Sequence, residues 1–236
     1  GYASGYFQSF LASNGGKLID GSNITFNDAK GIAAAKMLRN LYDKTDATYE
    51  ALRGSDFKDG NIAYRLSQAY DIMNLHIAKP TLDIKATKMI SETSGGTSYS
   101  NIGGENLVVR EGCGKVEQCK KFITYLLKTD NIYTIAGSNF PTITSQQTSA
   151  SVLQHNTLWA GAESALAVIL DQLKTCSARP SVDSWMKVND EYLGDALTLI
   201  LTEQNRGLSE ASIKDMLNSA AQQAASVTGL TYIPTM

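Results

Sequence analysis

Residues 103–142 read GGENLVVREGCGKVEQCKKFITYLLKTDNIYTIAGSNFPT, and the order of residue types in this stretch decides the fold class. A glycine pair, Gly103-Gly104, runs into a short apolar segment, Leu107 to Val109, and then into a polar loop. After the loop Val116, Cys119, Phe122, Ile123 and Leu126 recur at three- and four-residue spacing. That spacing predicts an amphipathic helix over 115–127, preceded by a strand over 107–109. Strand, loop and helix in that order make the chain α/β. Gly137 then marks a turn, and Pro141 stops any regular element.

Composition narrows the function classes. At 43% hydrophobic and 19% charged residues the 236-residue chain has a globular balance, which excludes global disorder. A net charge of −2 leaves no basic face, and Lys115, Lys120 and Lys121 read as the solvated side of the helix, so nucleic acid is excluded as a partner. No window reaches the roughly 18–20 apolar residues that span a bilayer. The two histidines, His76 and His155, have no metal-ligand spacing around them, and GxSxG, P-loop and dinucleotide motifs are absent. The expectation is therefore a non-enzyme with no catalytic residue, no metal and no cofactor. Cys113 and Cys119 are close enough in sequence for a disulfide between a loop and a first helical turn, and two reduced thiols, with Cys119 in the helix core, fit equally well.

Outward from the opening stretch, helices are expected over 6–13, from about 28 through Tyr42, briefly around Tyr49 and Leu52, through 158–173, over 188–201 and after Ser209. Thr25 and Asn27 compete as N-cap of the second of these. Ile62, Tyr64 and Leu66 alternate with polar neighbours, which predicts a strand that exits into Ser67-Gln68-Ala69-Tyr70 and places Tyr70 on a loop. Residues 77–84, with Pro80, are expected to be extended, and 91–100 form a Ser/Thr/Gly loop. Asn23-Ile24-Thr25 is a glycosylation sequon and predicts that Asn23 lies at the surface. Tyr6, Tyr70, Trp159, Trp185 and Tyr192 sit at element ends, where a flat ring with a polar edge suits a sugar; core packing competes with that reading at Tyr6, Tyr70 and Trp185.

Four blocks in order resemble the extracellular solute-binding proteins of ABC importers, in the group that includes the maltose-binding protein. They are GYFQSFLASNGGKLID at 5–20, FKDGNIAYRLSQAYDI at 57–72, the opening stretch, and ARPSVDSWMKVNDEYLGDALTLIL at 178–201. The resemblance implies a two-lobed periplasmic-binding-protein-like fold, with 1–82 as the first part of the second lobe, 83–144 as a crossover segment completing the first lobe, and 145–236 as the helical second part of the second lobe. By motif it assigns ligand binding to Tyr70, Trp185 and Tyr6, with Tyr70 and Trp185 partly exposed on one wall, and to Gly103 and Gly104, whose bare backbone lets a ligand approach. It implies capture of a small solute, most often a sugar or oligosaccharide, in an interlobe cleft, and delivery to the permease subunits of an ABC transporter. The protein would be extracellular or periplasmic, tethered to the outer face of the cytoplasmic membrane. A surface or assembly protein that reuses the fold without transport is the alternative. The blocks begin within the second lobe, so the strand at 107–109 and the helix after it are expected to lack their sheet within these residues, and an N-terminal segment of the same protein is an implied partner.

Overall fold

The structure, a computed structural model, describes residues 2–44, 55–93, 95–104, 106–137 and 139–236. Its helices are α1 (Tyr2–Ser13), α2 (Ala29–Asp43), α3 (Ser55–Lys58), α4 (Ala69–Ala78), α5 (Val116–Leu126), α6 (Thr129–Ala136), α7 (Ser149–His155), α8 (Glu163–Gln172), α9 (Trp185–Lys187), α10 (Leu193–Ile200) and α11 (Glu210–Thr228). Among the described residues four short strands interrupt them: β1 (Ile19–Asp20), β2 (Asn23–Ile24), β3 (Ser100–Ile102) and β4 (Cys176–Ala178). β1 and β2 form an antiparallel hairpin, and β3 pairs in parallel with β4 in the register Ser100↔Cys176, Asn101↔Ser177, Ile102↔Ala178. The class is α/β, weighted heavily toward helix.

The chain divides into two compact units. One holds residues 1–53, 89–103 and 175–236, the other 54–88 and 104–174. These breaks differ from the expected segment boundaries near 82 and 144. The reason is packing: Met73 of α4 and Val152 of α7 share one core with Ile132 and Tyr133 of α6 and Leu166 of α8, so stretches on both sides of those boundaries belong together.

In the first unit Phe7, Phe10 and Leu11 of α1 are buried with Ala34, Ala35 and Leu38 of α2, Leu193, Leu197 and Ile200 of α10, and Ile213 and Leu217 of α11. Each set recurs at three- and four-residue spacing, as a helix facing a core requires. The N-cap of α2 is Asp28, whose Oδ1 accepts from the amides of Lys30 at 2.8 Å and Gly31 at 2.9 Å. Neither Thr25 nor Asn27 takes that role. Asn27 is buried and donates to Asn218 Oδ1 and the Ile233 carbonyl, both at 2.8 Å, so tertiary partners claim its side chain. Arg39 of α2, only 1% exposed, donates to the carbonyls of Ile200 at 2.8 Å and Thr202 at 2.9 Å beyond the end of α10. A cation there satisfies carbonyls that a helix end leaves open. Asp43 is its ion-pair partner, and the Arg39 hydrogen bond holds the Asp43 carboxyl below its usual range.

The second unit is built on Met73, Ile132, Tyr133, Val152, Trp159, Leu166 and Leu170. Phe140 stacks on Trp159 with centroids 5.5 Å apart, and Tyr133 stacks on His155 at 4.5 Å. Sequence expectations fail on both sides of Tyr70 in this unit. Residues 62–66 form no strand; Tyr64 is 90% exposed, and Arg65 and Ser67 turn back to donate to Asp71 Oδ2 at 3.2 and 2.9 Å. Helix α4 then runs on through Ile77, so the first part of 77–84 is helical rather than extended. The expected helix around Tyr49 and Leu52 lies outside the described residues.

The opening stretch behaves as its pattern demands for the helix and departs from it for the strand. Helix α5 spans Val116–Leu126, yet none of its residues is buried, and Phe122 is 58% exposed. Cys119, Ile123 and Leu126 are half-buried, while Val116, Phe122 and Tyr125 face solvent. Leu107 to Val109 carries no ladder, and Val108 is 83% exposed. A strand needs a neighbour for its amides, and among the described residues none stands beside this one. Phe7→Ala is expected to lower the unfolding free energy of the 236-residue chain by about 3–5 kcal/mol, whereas Phe122→Ser should change it by less than about 0.5 kcal/mol; urea titration compares the two.

Candidate functional site

Among the described residues the chain passes between the two units next to Lys88, Gly103 and Lys174. Two of these crossings adjoin the parallel pair, since Gly103 directly follows β3 and Thr175 directly precedes β4. In α/β folds ligands bind beyond the carboxyl ends of parallel strands. Those ends are Ile102-Gly103 on β3 and Ala178-Arg179 on β4.

Helix α1 holds this pair in place through polar side chains. The Ser100 amide donates along the ladder to the Thr175 carbonyl at 3.1 Å. The alternate amides point the other way: Tyr99 donates to Ser13 Oγ at 2.8 Å and Asn101 to Ser9 Oγ at 2.9 Å. Gln8 reaches β4, donating to the Ser177 carbonyl at 2.8 Å. Ser9 and Ser13 stand four residues apart on one helix face, and the amides of Tyr99 and Asn101 two apart on one strand edge, so the two periodicities match.

Tyr6, Gly103, Arg179 and Trp185 all belong to the unit that contains this pair. Tyr6 is half-buried on the N-terminal part of α1. Gly103 and Gly104 are both exposed; a side chain at Gly103 would meet nothing nearer than the Arg179 guanidinium at 3.9 Å, and Gly104 has open space around it. Neither glycine has a positive φ, so no backbone strain inside the chain demands them.

Trp185 departs from its expected exposure. Only 3% of it is accessible, and its indole N–H is buried without an acceptor among the described residues. One residue earlier Ser184 has φ 64°, a left-handed conformation that a non-glycine residue rarely adopts; of the two residues that follow, Trp185 is buried and Met186 exposed. Arg179 donates to Met186 Sδ at 3.5 Å. A five-residue π turn over Val188–Tyr192 follows and closes with the Leu193 amide on the Val188 carbonyl. A side chain at Gly194 would meet the Asn189 carbonyl at 2.8 Å, so the bulge requires glycine there. Left-handed backbone and π bulges both concentrate at functional sites.

In the other unit Tyr70 is half-buried, in the first turn of α4 rather than on a loop at a strand end. Trp159 is wholly buried in that unit's core. Asn23 is half-exposed in β2, where its backbone pairs with Asp20 and bridges to Thr231. Cys113 and Cys119 are free thiols with their Sγ atoms 3.8 Å apart; Cys119 is half-buried, not in a helix core. A groove of about 710 Å³ runs between α2 and α11 past Ile32, Lys36, Met37, Glu210 and Lys214. The Lys36–Glu210 ion pair forms within it, and none of the sequence-predicted ligand residues lines it. Among the described residues no cluster of His, Cys, Asp and Glu is arranged to hold a metal ion.

Comparison with known structures follows from this architecture. The chain superposes on a cyclic α-maltosyl-1,6-maltose binding protein from Arthrobacter globiformis with a TM-score of 0.73, at 21% identity, covering 95% of this chain and 55% of that one. The fold is that of the two-lobed solute-binding proteins. An ABC-transporter solute-binding protein from Thermotoga lettingae, bound to α-D-tagatose, matches with a TM-score of 0.71 at 19% identity, over 96% of this chain and 56% of that one. UgpB from Mycobacterium tuberculosis, in complex with glycerophosphocholine, matches with a TM-score of 0.67 at 16% identity, over 95% and 55%. The chain therefore spans about half the length of the solved structures it resembles. No protein-family model and no curated protein matches the sequence.

Two measurements probe this geometry. Trp185→Ala should cost about 3–5 kcal/mol of unfolding free energy, as removal of a core indole does; a loss under about 1 kcal/mol in urea titration would instead mark a surface ring. Asp171 clasps Lys88 and Lys174, each beside a crossing, and their hydrogen bonds, Lys88 first, lower its pKa to about 2 from 3.8. A depressed carboxylate stabilises the fold above its unfolded pKa, and that contribution is lost as pH falls from about 4 through about 2. Carboxyl NMR titration should find the Asp171 midpoint near 2, moved upward more by Lys88→Ala than by Lys174→Ala.

Proposed function

We propose that the chain is part of an extracellular solute-binding protein that captures a small polar solute, a sugar or oligosaccharide, and hands it to an ABC-importer permease. The single observation that carries this reading is the superposition of 95% of the chain on a cyclic α-maltosyl-1,6-maltose binding protein. Gly103 and Gly104 support it: both are exposed, with no side chain crowding them from within the chain, which leaves their backbone open to a ligand's hydroxyls. Tyr70, in the first turn of α4, and Tyr6, on α1, are the aromatic residues that we assign to ligand contact, and each is half-buried in its own unit. Trp185 supports the wall from beneath and does not stack on the ligand. Capture is coupled to hinge closure of the two-lobed fold, driven by contacts made only in the closed state.

The neighbours are nearly twice as long as this chain. The uncovered face of α5 and the unpaired segment at 107–109 are the places where further polypeptide of the same protein completes a lobe: an apolar helix face and a bare strand edge are both aggregation-prone unless covered. The assembled protein works outside the cytoplasmic membrane, at the permease.

The test is a thermal-shift and calorimetry panel on the protein containing all of its polypeptide, with cyclic maltosyl-maltose, maltose, tagatose and glycerophosphocholine as probes. At least one sugar should raise the melting temperature, since a ligand at a hundredfold its Kd adds about 2.7 kcal/mol. Tyr70→Ala should weaken that ligand about tenfold or more. No shift with any sugar overturns the reading and leaves a scaffold that uses the fold without a ligand.

A further inference from the structure

The loop that enters α5 holds Cys113, and the start of the helix itself holds Cys119. Gly112, at φ 74°, turns the chain so that the Cys113 amide donates to the Arg110 carbonyl at 3.1 Å. Cys113 Sγ then lies over the start of the helix, accepting from the Lys115 amide at 3.4 Å, and Cys119 Sγ stands 3.8 Å away. A disulfide needs its sulfurs at about 2.05 Å, so the gap left to close is less than about 2 Å. Both residues are half-buried among exposed neighbours, which leaves them within reach of an oxidant. Cys176, the third cysteine, is in the other unit, within β4, where its Sγ lies 3.5 Å from Ser100 Oγ.

The geometry points to Cys113 and Cys119 as a reversible intrachain disulfide that pins the loop to the first turns of α5, with Cys176 remaining the reduced thiol. This bond has a mechanical purpose where it stands. No residue of α5 is buried, so packing holds the start of the helix weakly. A covalent tie from the loop to Cys119 replaces part of that packing. The oxidant is a disulfide of the surroundings, small-molecule or protein. One cysteine thiolate attacks a sulfur of the oxidant and displaces one thiolate. The second cysteine then attacks the mixed disulfide at the cysteine sulfur and displaces the other. Two thiols of the protein are oxidised, one external disulfide is reduced to two thiols, and the two protons end on the released thiols. The short loop and exposed site keep the bond exchangeable rather than buried and inert.

The inference stands apart from sugar binding and is tested without a sugar. The 236-residue chain is equilibrated in a series of reduced and oxidised glutathione, quenched, alkylated and weighed, natively and in guanidinium. One alkylatable thiol of the three, a mass loss of two hydrogens and a linked Cys113–Cys119 peptide are expected. The native chain should be half-bridged at a glutathione ratio at least about tenfold more reducing than the denatured chain, because the fold supplies the proximity. Cys176→Ser should keep the bridge, and Cys113→Ser and Cys119→Ser should each leave two reactive thiols. Equal midpoints in the two states, three free thiols throughout, or a bridge to Cys176 each overturn the proposal.

Discussion

The structure depends on how a two-stranded parallel ribbon satisfies its outward amides. A parallel strand donates only every second N–H to its neighbour. With three residues in each of β3 and β4, the amides of Tyr99 and Asn101 are left facing away, and an unpaired amide in a packed region costs about 1–3 kcal/mol. Helix α1 meets this with hydroxyls where another strand would use carbonyls. Each hydroxyl both accepts from the strand and donates within its own helix, Ser9 to the Gly5 carbonyl and Ser13 to the Ser9 carbonyl, so no polar group in the chain of bonds is left over. The apolar side of the same helix, Phe7, Phe10 and Leu11, anchors the core.

From that junction the candidate site follows. Because α1 fixes the ribbon, the carboxyl ends of its strands are fixed too, with Gly103 and Arg179 as neighbours there. The segment after Arg179 passes through the left-handed Ser184 and the π turn before it regains α-helical hydrogen bonding at α10. Irregular backbone of this kind persists only where the surroundings over-determine it. Here buried Trp185, Val188 and Leu193 supply that constraint from the core side.

The two units are unequally finished. The first has a core closed by α1, α2, α10 and α11, and its deeply buried Arg39 is matched to carbonyls at and just after the end of α10 and to Asp43. The second closes around Trp159 and Tyr133 but leaves α5 with a solvent-facing apolar side. The same hydrophobic effect that buries one set of rings makes the exposure of Phe122 unfavourable.

Much of this was legible in the residues themselves. The three- and four-residue recurrences located α2, α5, α8, α10 and α11, and Ser209 caps α11 as its position implied. The resemblance carried by the ordered blocks led to the fold. Alternation misled at Ile62, Tyr64 and Leu66, because period two records a pattern and not the presence of a partner strand. Trp185 misled for a related reason: an aromatic near an element end can point inward or outward, and here tertiary packing buries it. Local chemistry therefore determined α1, α2, α5, α8, α10 and α11 and the fold class they build, while α4, α6 and α7 went unread. Only the tertiary structure decided that Asp28 and not Asn27 caps α2, that Ser9 and Ser13 face a strand edge, and that two cysteines six residues apart bring their sulfurs to 3.8 Å. Each of those outcomes turns on which partner wins a hydrogen bond or a van der Waals contact, and the winner is chosen by segments distant in the chain or by a turn whose angles no single residue dictates.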